Sequence, residues 1–352
     1  MDNVVVGFQP GHDCSYCILV DGVPTIHEEL ERFLRKKEPK GDGLRMFFDA
    51  MESNNFPVEN VKYFTHGNPH GRESDISDAK AFDEMHDLID KNNGEYYVIG
   101  HHQSHAAAAF YSSNFKNALV ITLDGAGYDG TTSDYTESTK NISTAFTVWE
   151  GNDIKLERKC IEISDNFSIG WPWHLATKRI FGLNIGYPYG HQAGTVMAMG
   201  TIGDPDKYYD VFIDNIKRGV NVDWNHFHEL AKDEQEAFDI AAGLQKATEV
   251  KFREHITPYI EEYDGDSLCF SGGASLNSVM IGKILDWFPK IKNIHCDPVP
   301  YDGGLSLGSA RYVWHHILEN PRVKWKDNSS PYLGRTYGEE EINTAIEKYL
   351  GK

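Results

Sequence analysis

Three apolar runs crowd into the first 30 residues, Val4–Phe8, Tyr16–Val20 and Val23–His27, with gaps too short to hold a helix. Asp21-Gly22 is a tight-turn dipeptide, so the chain is predicted to turn there and return as a third strand. The rhythm then changes. A helical stretch at about Leu44–Glu52 leads to an extended Val61–Thr65, and a helix near Ala79–Asp90 leads to a strand at Tyr96–Ile99. An alanine-rich helix runs from His101 to about Tyr111, and Ala118–Leu123 is a strand that closes the lobe. The order β-β-β-α-β-α-β makes the helices crossovers, which implies parallel strands.

A second lobe is expected after the glycine-rich Asp124–Gly130. Thr144–Trp149 and Ile154–Ile163 read as a hairpin around Gly151-Asn152-Asp153, followed by a mostly helical insertion at about 168–256. Leu268–Phe270 is a short buried strand, Ala274–Leu285 a helix, Ile294–Cys296 a strand and Gly304–Leu318 a last long helix; Glu339–Tyr349 is a short helix in a polar tail. The expected division is a lobe over 1–124, a lobe over 125–335 and a tail over 336–352. Strands and glycine-rich turns open both lobes, so the fold class is α/β, with duplicated lobes around a cleft.

Charge and cysteine content narrow the setting. The net charge is −19, and the longest basic run is Arg35-Lys36-Lys37, whereas a broad nucleic-acid interface needs a basic stripe. No window approaches the ~18 apolar residues of a membrane span, and the N-terminus has neither the basic nor the apolar region of a signal peptide. Five scattered cysteines fit a reduced, cytoplasmic protein. Cys14-x-x-Cys17 has no second pair to complete a zinc site and reads as two buried structural cysteines.

Five segments carry candidate chemistry. In His101-His102-Gln103-Ser104-His105, positions i and i+4 share a helix face, so His101 and His105 can reach one metal ion while His102 points elsewhere. An isolated pair of this kind is more often a set of hydrogen-bonded helix-start histidines. Gly100 before it and Ala106–Ala109 after it put this pair at a strand end, where α/β folds bind ligands. The turn Gly7–Ser15 carries His12 and Asp13 at its tip; it is either a general acid/base site near a bound anion or a polar β-turn. Asp124-Gly125-Ala126-Gly127 follows a buried strand and allows close approach to phosphate, the alternative being a linker. Gly272-Gly273 and Asn277 form a strand–glycine–helix junction suited to a nucleotide, the alternative being a plain N-cap. Asp302 opens a helix of small residues, either as its N-cap or as the carboxylate completing a two-His-one-carboxylate set with His101 and His105, a set that suits Fe(II).

Taken together, GHDCSYCILVDG (11–22), EELERFLRKK (28–37), HHQSHAAAAFYSS (101–113), DGAGYDG (124–130), SGGASLN (271–277) and DGGLSLGSA (302–310) resemble the carbamoyltransferase family of antibiotic-tailoring and nodulation enzymes. More distantly they resemble the tRNA threonylcarbamoyl-transferase of the actin/Hsp70/sugar-kinase superfamily, whose lobes are ribonuclease H-like. The resemblance spans most of residues 4–335 and implies an O-carbamoyltransferase. Carbamoyl-adenylate, made from carbamoyl phosphate and ATP, would give its carbamoyl group to a hydroxyl acceptor. The acceptor is a small molecule or a flipped hydroxymethylated base such as 5-hydroxymethylcytosine in DNA.

By position, the resemblance makes His101, His105 and Asp302 the ligands of a divalent metal, typically Fe(II). It places His12 near the carbamoyl group and makes Gly125–Gly127 and Gly272–Asn277 the phosphate and adenosine contacts. Two departures stand out. The family's EGKVMGLA is Ala193–Met199 here, without its Glu and Lys, and Gln192 is the nearest substitute. The chain also stops soon after Ser330-Pro331-Tyr332-Leu333-Gly334, where family members begin an adenylate-forming domain. The donor would then come from a separate adenylate-forming chain, the sequence would be a fragment, or the chemistry would be altered. The alternatives are a sugar-kinase-like phosphotransferase and a non-catalytic adenylate-binding subunit.

Overall fold

The computed structural model describes residues 3–54, 60–67, 78–129, 143–183, 192–219, 221–323, 332–334 and 336–350. Gly130 of the glycine-rich loop, and Ser330 and Pro331, lie outside them. The first sheet contains β1 (Val4–Gln9), β2 (Ser15–Val20), β3 (Val23–Glu29), β4 (Val61–His66) and β5 (Glu95–Val98) in the order β3-β2-β1-β4-β5. β1, β2 and β3 pair antiparallel, whereas β1, β4 and β5 pair parallel through the crossover helices α2 (Gly43–Asn54) and α3 (Ala79–Asn92). A short α1 (Leu30–Leu34) follows β3, and α4 (His101–Ser112) leaves the end of β5.

The second sheet repeats this plan. β6 (Asn117–Tyr128), β7 (Ser143–Asn152) and β8 (Lys155–Ile163) pair antiparallel, and β9 (Ser267–Ser271) and β10 (Asn293–Cys296) add parallel strands to give β10-β9-β6-β7-β8. In both sheets the first strand lies centrally, with a hairpin on one flank and parallel crossovers on the other, so the expected duplication is present. One strand is reassigned. Residues 118–123 do not close the first sheet; they lie in β6, which opens the second through hydrogen bonds to β7 and β9. α4 is therefore a bridge between the sheets.

The insertion between β8 and β9 holds α5 (Gly170–Leu175), α6 (Ala193–Met199), α7 (Tyr209–Phe212), α8 (Trp224–Leu230) and the long α9 (Glu234–Glu262). The helix expected at Ala274–Leu285 is broken into a 3-10 turn at Gly273–Leu276, α10 (Ser278–Ile281) and α11 (Ile284–Trp287). Asn277 starts a new helix there by accepting the Met280 N–H on its own side chain at 3.0 Å. The final long helix is α12 (Leu305–Tyr312), continued by a π-helical turn at Val313–Ile317, and α13 (Glu339–Leu350) lies in the tail. Among the described residues no helix is long and apolar enough to cross a membrane. Cys14 and Cys17 are buried free thiols.

The two-residue alternation of β1 sorts its side chains between two cores. Val4, Val6 and Phe8 pack outward with Leu44, Phe47 and Met85 of α2 and α3, whereas Val5 faces inward. In the second sheet Leu119, Ile121 and Leu123 pack against the helical insertion, and Val120 faces inward. The shared inner core is filled by α4 and α12, through Ala106, Ala107, Ala109, Phe110, Leu307 and Ala310. These two helices and β1 approach through glycine: a Cβ on Gly308 would lie 2.0 Å from the Ser104 carbonyl oxygen, and one on Gly7 of β1 would lie 1.9 Å from that of Ser306. Such contacts cannot form without moving backbone.

Gly308→Ala is therefore predicted to destabilise the protein by about 2–3 kcal/mol in urea unfolding, against the ~0.5–1 kcal/mol gain that Ala normally brings to a helix interior. Gly194→Ala, where a Cβ meets nothing within 4 Å, is the control and shows no loss.

Candidate metal centre

α4 carries two of the site residues, and its first turn is built by groups from the second sheet. The Asp129 carboxylate just beyond β6 accepts the backbone N–H of His102 at 2.7 Å and of Gln103 at 3.0 Å, capping the helix. Gly100 and Gly127 are needed for this fit. A Cβ on Gly100 would sit 2.4 Å from Asp129 Oδ1, and one on Gly127 would sit 2.2 Å from the His101 ring. His102 points away, as expected, into a hydrogen-bonded chain. Its Nε2 donates to the Thr144 carbonyl at 3.0 Å, so its Nδ1 accepts from Thr122, which itself bonds Thr147. Burial pushes its pKa down to about 4, and it serves as a neutral structural histidine.

His101 and His105, one turn apart, have ring centroids 4.7 Å apart. They face two carboxylates from opposite ends of the sequence. Asp124 Oδ2 lies 2.8 Å from His101 Nε2 and 3.4 Å from His105 Nε2. Asp302 Oδ1 lies 3.7 and 3.5 Å from the same nitrogens. One ligand atom from each of the four residues falls within 4.8 Å of the others. The sequence reading brings three of these together; Asp124, read there as a phosphate-loop residue, is the fourth. The available signal was its place at the end of an apolar strand, which marks ligand loops without saying which ligand.

Electrostatics set these groups as mutual partners. Burial pushes the Asp124 carboxyl up, but the His101 and His105 imidazoles outweigh it and hold the group well below the usual carboxylate range. Asp302 is held down in the same sense: His101, His105 and His12 overcome burial and the repulsion of Asp124. Burial pushes His105 down, yet the two carboxylates raise it to about 9. Its buried Nε2 makes no hydrogen bond even so, because the 3.4–3.5 Å approaches are poorly directed. An imidazole nitrogen aimed between two carboxylate oxygens without a directed bond fits a site for a cation. Two imidazoles and two carboxylates are borderline-to-hard donors suited to a divalent first-row metal.

His12 adjoins this group. Its Nε2 lies 3.4 Å from Asp302 Oδ2, and its Nδ1 lies 2.9 Å from Asp13 Oδ2. Asp13 adopts a left-handed backbone (φ 51°) in the turn closed by the paired Gly11 and Gly41, which orients the tip. Burial lowers the His12 pKa, but Asp13 and Asp302 raise it to about 9. The Asp302 turn is held from beneath by the first sheet. The Gly303 carbonyl accepts from Ser15 Oγ and from His27 Nε2, both at 2.8 Å, and the Tyr301 hydroxyl donates to Glu29 at 2.7 Å.

The glycine loops converge on Asp124. Gly125 packs against Gly170, where a Cβ would lie 2.5 Å from the Gly125 nitrogen. Gly272 takes φ +92°, and a Cβ there would lie 2.1 Å from the Leu123 carbonyl oxygen. A Cβ on Gly273 would lie 3.4 Å from Asp124 Oδ1, so the irregular second half of β6 and the loop after β9 sit side by side at the metal group. Asn277 is turned to other partners. Its amide exchanges hydrogen bonds with Gln245 at 2.9 and 3.1 Å, and Gln245 continues to Glu249.

Residues 74–311 match the family model described as Carbamoyltransferase N-terminus. The chain belongs to this carbamoyltransferase N-terminal family. Its relatives include an uncharacterised protein of Synechocystis sp., 30% identical over 299 residues, covering 76% of this chain and 45% of that protein. Nodulation protein NolO of Bradyrhizobium diazoefficiens is 26% identical over 259 residues, covering 69% of this chain and 43% of NolO. The chain spans less than half the length of either relative.

Among solved structures, full-length HypF in a phosphate- and nucleotide-bound form superposes with a TM-score of 0.55 at 13% identity, covering 90% of this chain and 56% of HypF. The (R)-2-hydroxyglutaryl-CoA dehydratase component A of Acidaminococcus fermentans superposes at 0.52 with 12% identity, covering 90% of this chain and 99% of its own. These likenesses concern the fold, which is the duplicated α/β architecture of the actin/Hsp70 type.

The four-residue geometry predicts one divalent ion per carbamoyltransferase N-terminal unit, measured by elemental analysis after dialysis against Fe(II), Mn(II) or Zn(II). Asp124→Asn is expected to weaken binding at least as much as Asp302→Asn, by about 10-fold or more. His102→Asn is expected to leave stoichiometry at one ion. Metal at about 100 times its Kd is expected to stabilise the wild type by ~2.7 kcal/mol.

Proposed function

We propose that this chain carries the transfer site of an O-carbamoyltransferase that uses carbamoyl-adenylate, formed ultimately from carbamoyl phosphate and ATP. The observation that carries the reading is the convergence of His101, His105, Asp124 and Asp302 beside His12, in a member of the carbamoyltransferase N-terminal family. A bound divalent ion, Fe(II) in our reading, would polarise the carbamoyl carbonyl as a Lewis acid.

The chain's own residues do the rest. A Cβ on Gly125 would meet nothing closer than 3.9 Å and one on Gly273 nothing closer than 3.4 Å, so the lack of side chains there leaves room for the adenylate phosphate to approach beside Asp124. Asn277 supports the second loop from its network with Gln245. The acceptor oxygen bonds to the carbamoyl carbon, the bond from that carbon to the phosphate oxygen breaks with its electron pair on AMP, and the hydroxyl proton passes to water at the partly exposed His12 edge. His12 was expected as an acid/base group. Its ring, 2.9 Å from Asp13 and 3.4 Å from Asp302, is placed at the edge of the site to donate a hydrogen bond to charge developing on the transferred group.

The net charge of −19 favours a small-molecule hydroxyl; a hydroxymethylated base such as 5-hydroxymethylcytosine is the other arm of the test. An adenylate-forming unit, in the same polypeptide or on a separate chain, would supply the donor. Phosphotransfer on the same fold is less well supported, because magnesium–phosphate chemistry uses carboxylates and substrate phosphates rather than paired imidazoles. Incubation with carbamoyl-adenylate, Fe(II) and sugar or hydroxymethylcytosine acceptors is expected to give a product heavier by one carbamoyl group by mass spectrometry. His12→Gln is expected to slow it by 10²-fold or more while metal content is retained. ADP release without a carbamoylated product would contradict the reading, and tight nucleotide binding without turnover would favour the non-catalytic subunit.

A further inference from the structure

The first sheet holds buried polar side chains that the reaction as described does not use. Gln9 ends β1 and is fully buried, and neither its amide oxygen nor its amide nitrogen has a hydrogen-bond partner. The hydroxyl of Thr65 near the end of β4 is in the same condition. Leaving such groups unpaired costs about 1–3 kcal/mol each, so their persistence calls for an explanation.

Their place in the fold supplies one. By strand alternation Gln9 shares the inward face of the first sheet with Val5 and Gly7, and Gly7 pairs with Thr65 across β1 and β4. Gly7 touches the Ser306 carbonyl at the start of α12, and Gly67, just past β4, closes on the Leu305 carbonyl. Ser15, the cross-strand partner of Gln9, bonds the Gly303 carbonyl and Ser306. The two orphaned groups therefore face the turn that starts with Asp302, and Gln9 lies three residues before His12.

We propose that Gln9, with Thr65, is the subsite that recognises the NH2–C=O edge of the transferred group. The inference rests on the carbamoyl reading above. A primary amide side chain offers one donor and one acceptor in a plane, which matches the C=O and NH2 of a carbamoyl group. Phosphate and carboxylate ligands would use only the donor. Acetyl, which replaces NH2 with CH3, leaves the Gln9 oxygen unpaired and is rejected on that ground. Gln9 has three rotatable side-chain torsions, so its amide can swing to meet a group arriving beside Asp302.

The test compares binding of two stable sulfamate analogues of acyl-adenylate, one carrying carbamoyl and one carrying acetyl, by titration calorimetry on the metal-loaded protein. The wild type is expected to prefer the carbamoyl analogue by about 10- to 100-fold. Gln9→Leu is expected to bring the ratio close to one while affinity for the acetyl analogue holds. Its metal stoichiometry stays at one, and its melting temperature is unchanged or raised, because an orphaned buried amide has been removed. Thr65→Val, of nearly the same shape, is expected to narrow the ratio less. A wild type that discriminates together with a Gln9→Leu variant that discriminates equally overturns the subsite. So does a Gln9→Leu variant that loses stability and both affinities together, which marks Gln9 as structural. A wild type that binds both equally also overturns the subsite, whereas one that binds neither overturns the carbamoyl reading itself.

Discussion

Two carboxylates from distant parts of the chain, the half-buried Asp124 in β6 and the buried Asp302 before α12, lie within reach of the same pair of imidazoles. The arrangement is unfavourable unless positive charge lies between them, because like charges repel strongly where water is scarce. His101, His105 and His12 supply part of that charge, and a divalent ion would supply the rest. The surrounding structure can be read as the scaffold that holds four such groups in place.

That scaffold is the duplicated sheet. Each half brings its central strand to the site, β1 leading to His12 and β6 carrying Asp124, so the duplication itself brings the two strands together there. The helices between the sheets then supply the remaining ligands. α4 brings His101 and His105, and Asp302 immediately precedes α12. Glycine contacts at Gly308 and Gly7 let these helices and β1 approach to backbone distance, and small shifts there would be felt at the ligands. The turn before α12 is also fixed from the first sheet by Ser15, His27 and Glu29, so a ligand from the second half of the chain is positioned by the first half.

Much of this was legible in the sequence because its signals are local. The period-two runs and the Asp21-Gly22 turn mark β1–β3, and the i, i+4 spacing marks the shared face of His101 and His105. What escaped was non-local. Residues 118–123 follow a crossover-like helix, and only pairing with β7 and β9 assigns them to the second sheet. Asp124 sits among glycines, where a carboxylate reads equally well as a loop residue or a ligand. Asn277 resembles a nucleotide contact until its partner Gln245 on α9, far away in sequence, is seen. Gln9 carries no charge and no motif; only burial without a partner singles it out.

His101, His105, Asp124 and Asp302 together define one centre, and anomalous diffraction from crystals loaded with Fe(II) or Mn(II) tests it most directly. The predicted result is a single strong peak within about 2.0–2.3 Å of both Nε2 atoms and of one oxygen from each aspartate. A peak elsewhere, or one that leaves out Asp124 or either histidine, would contradict it.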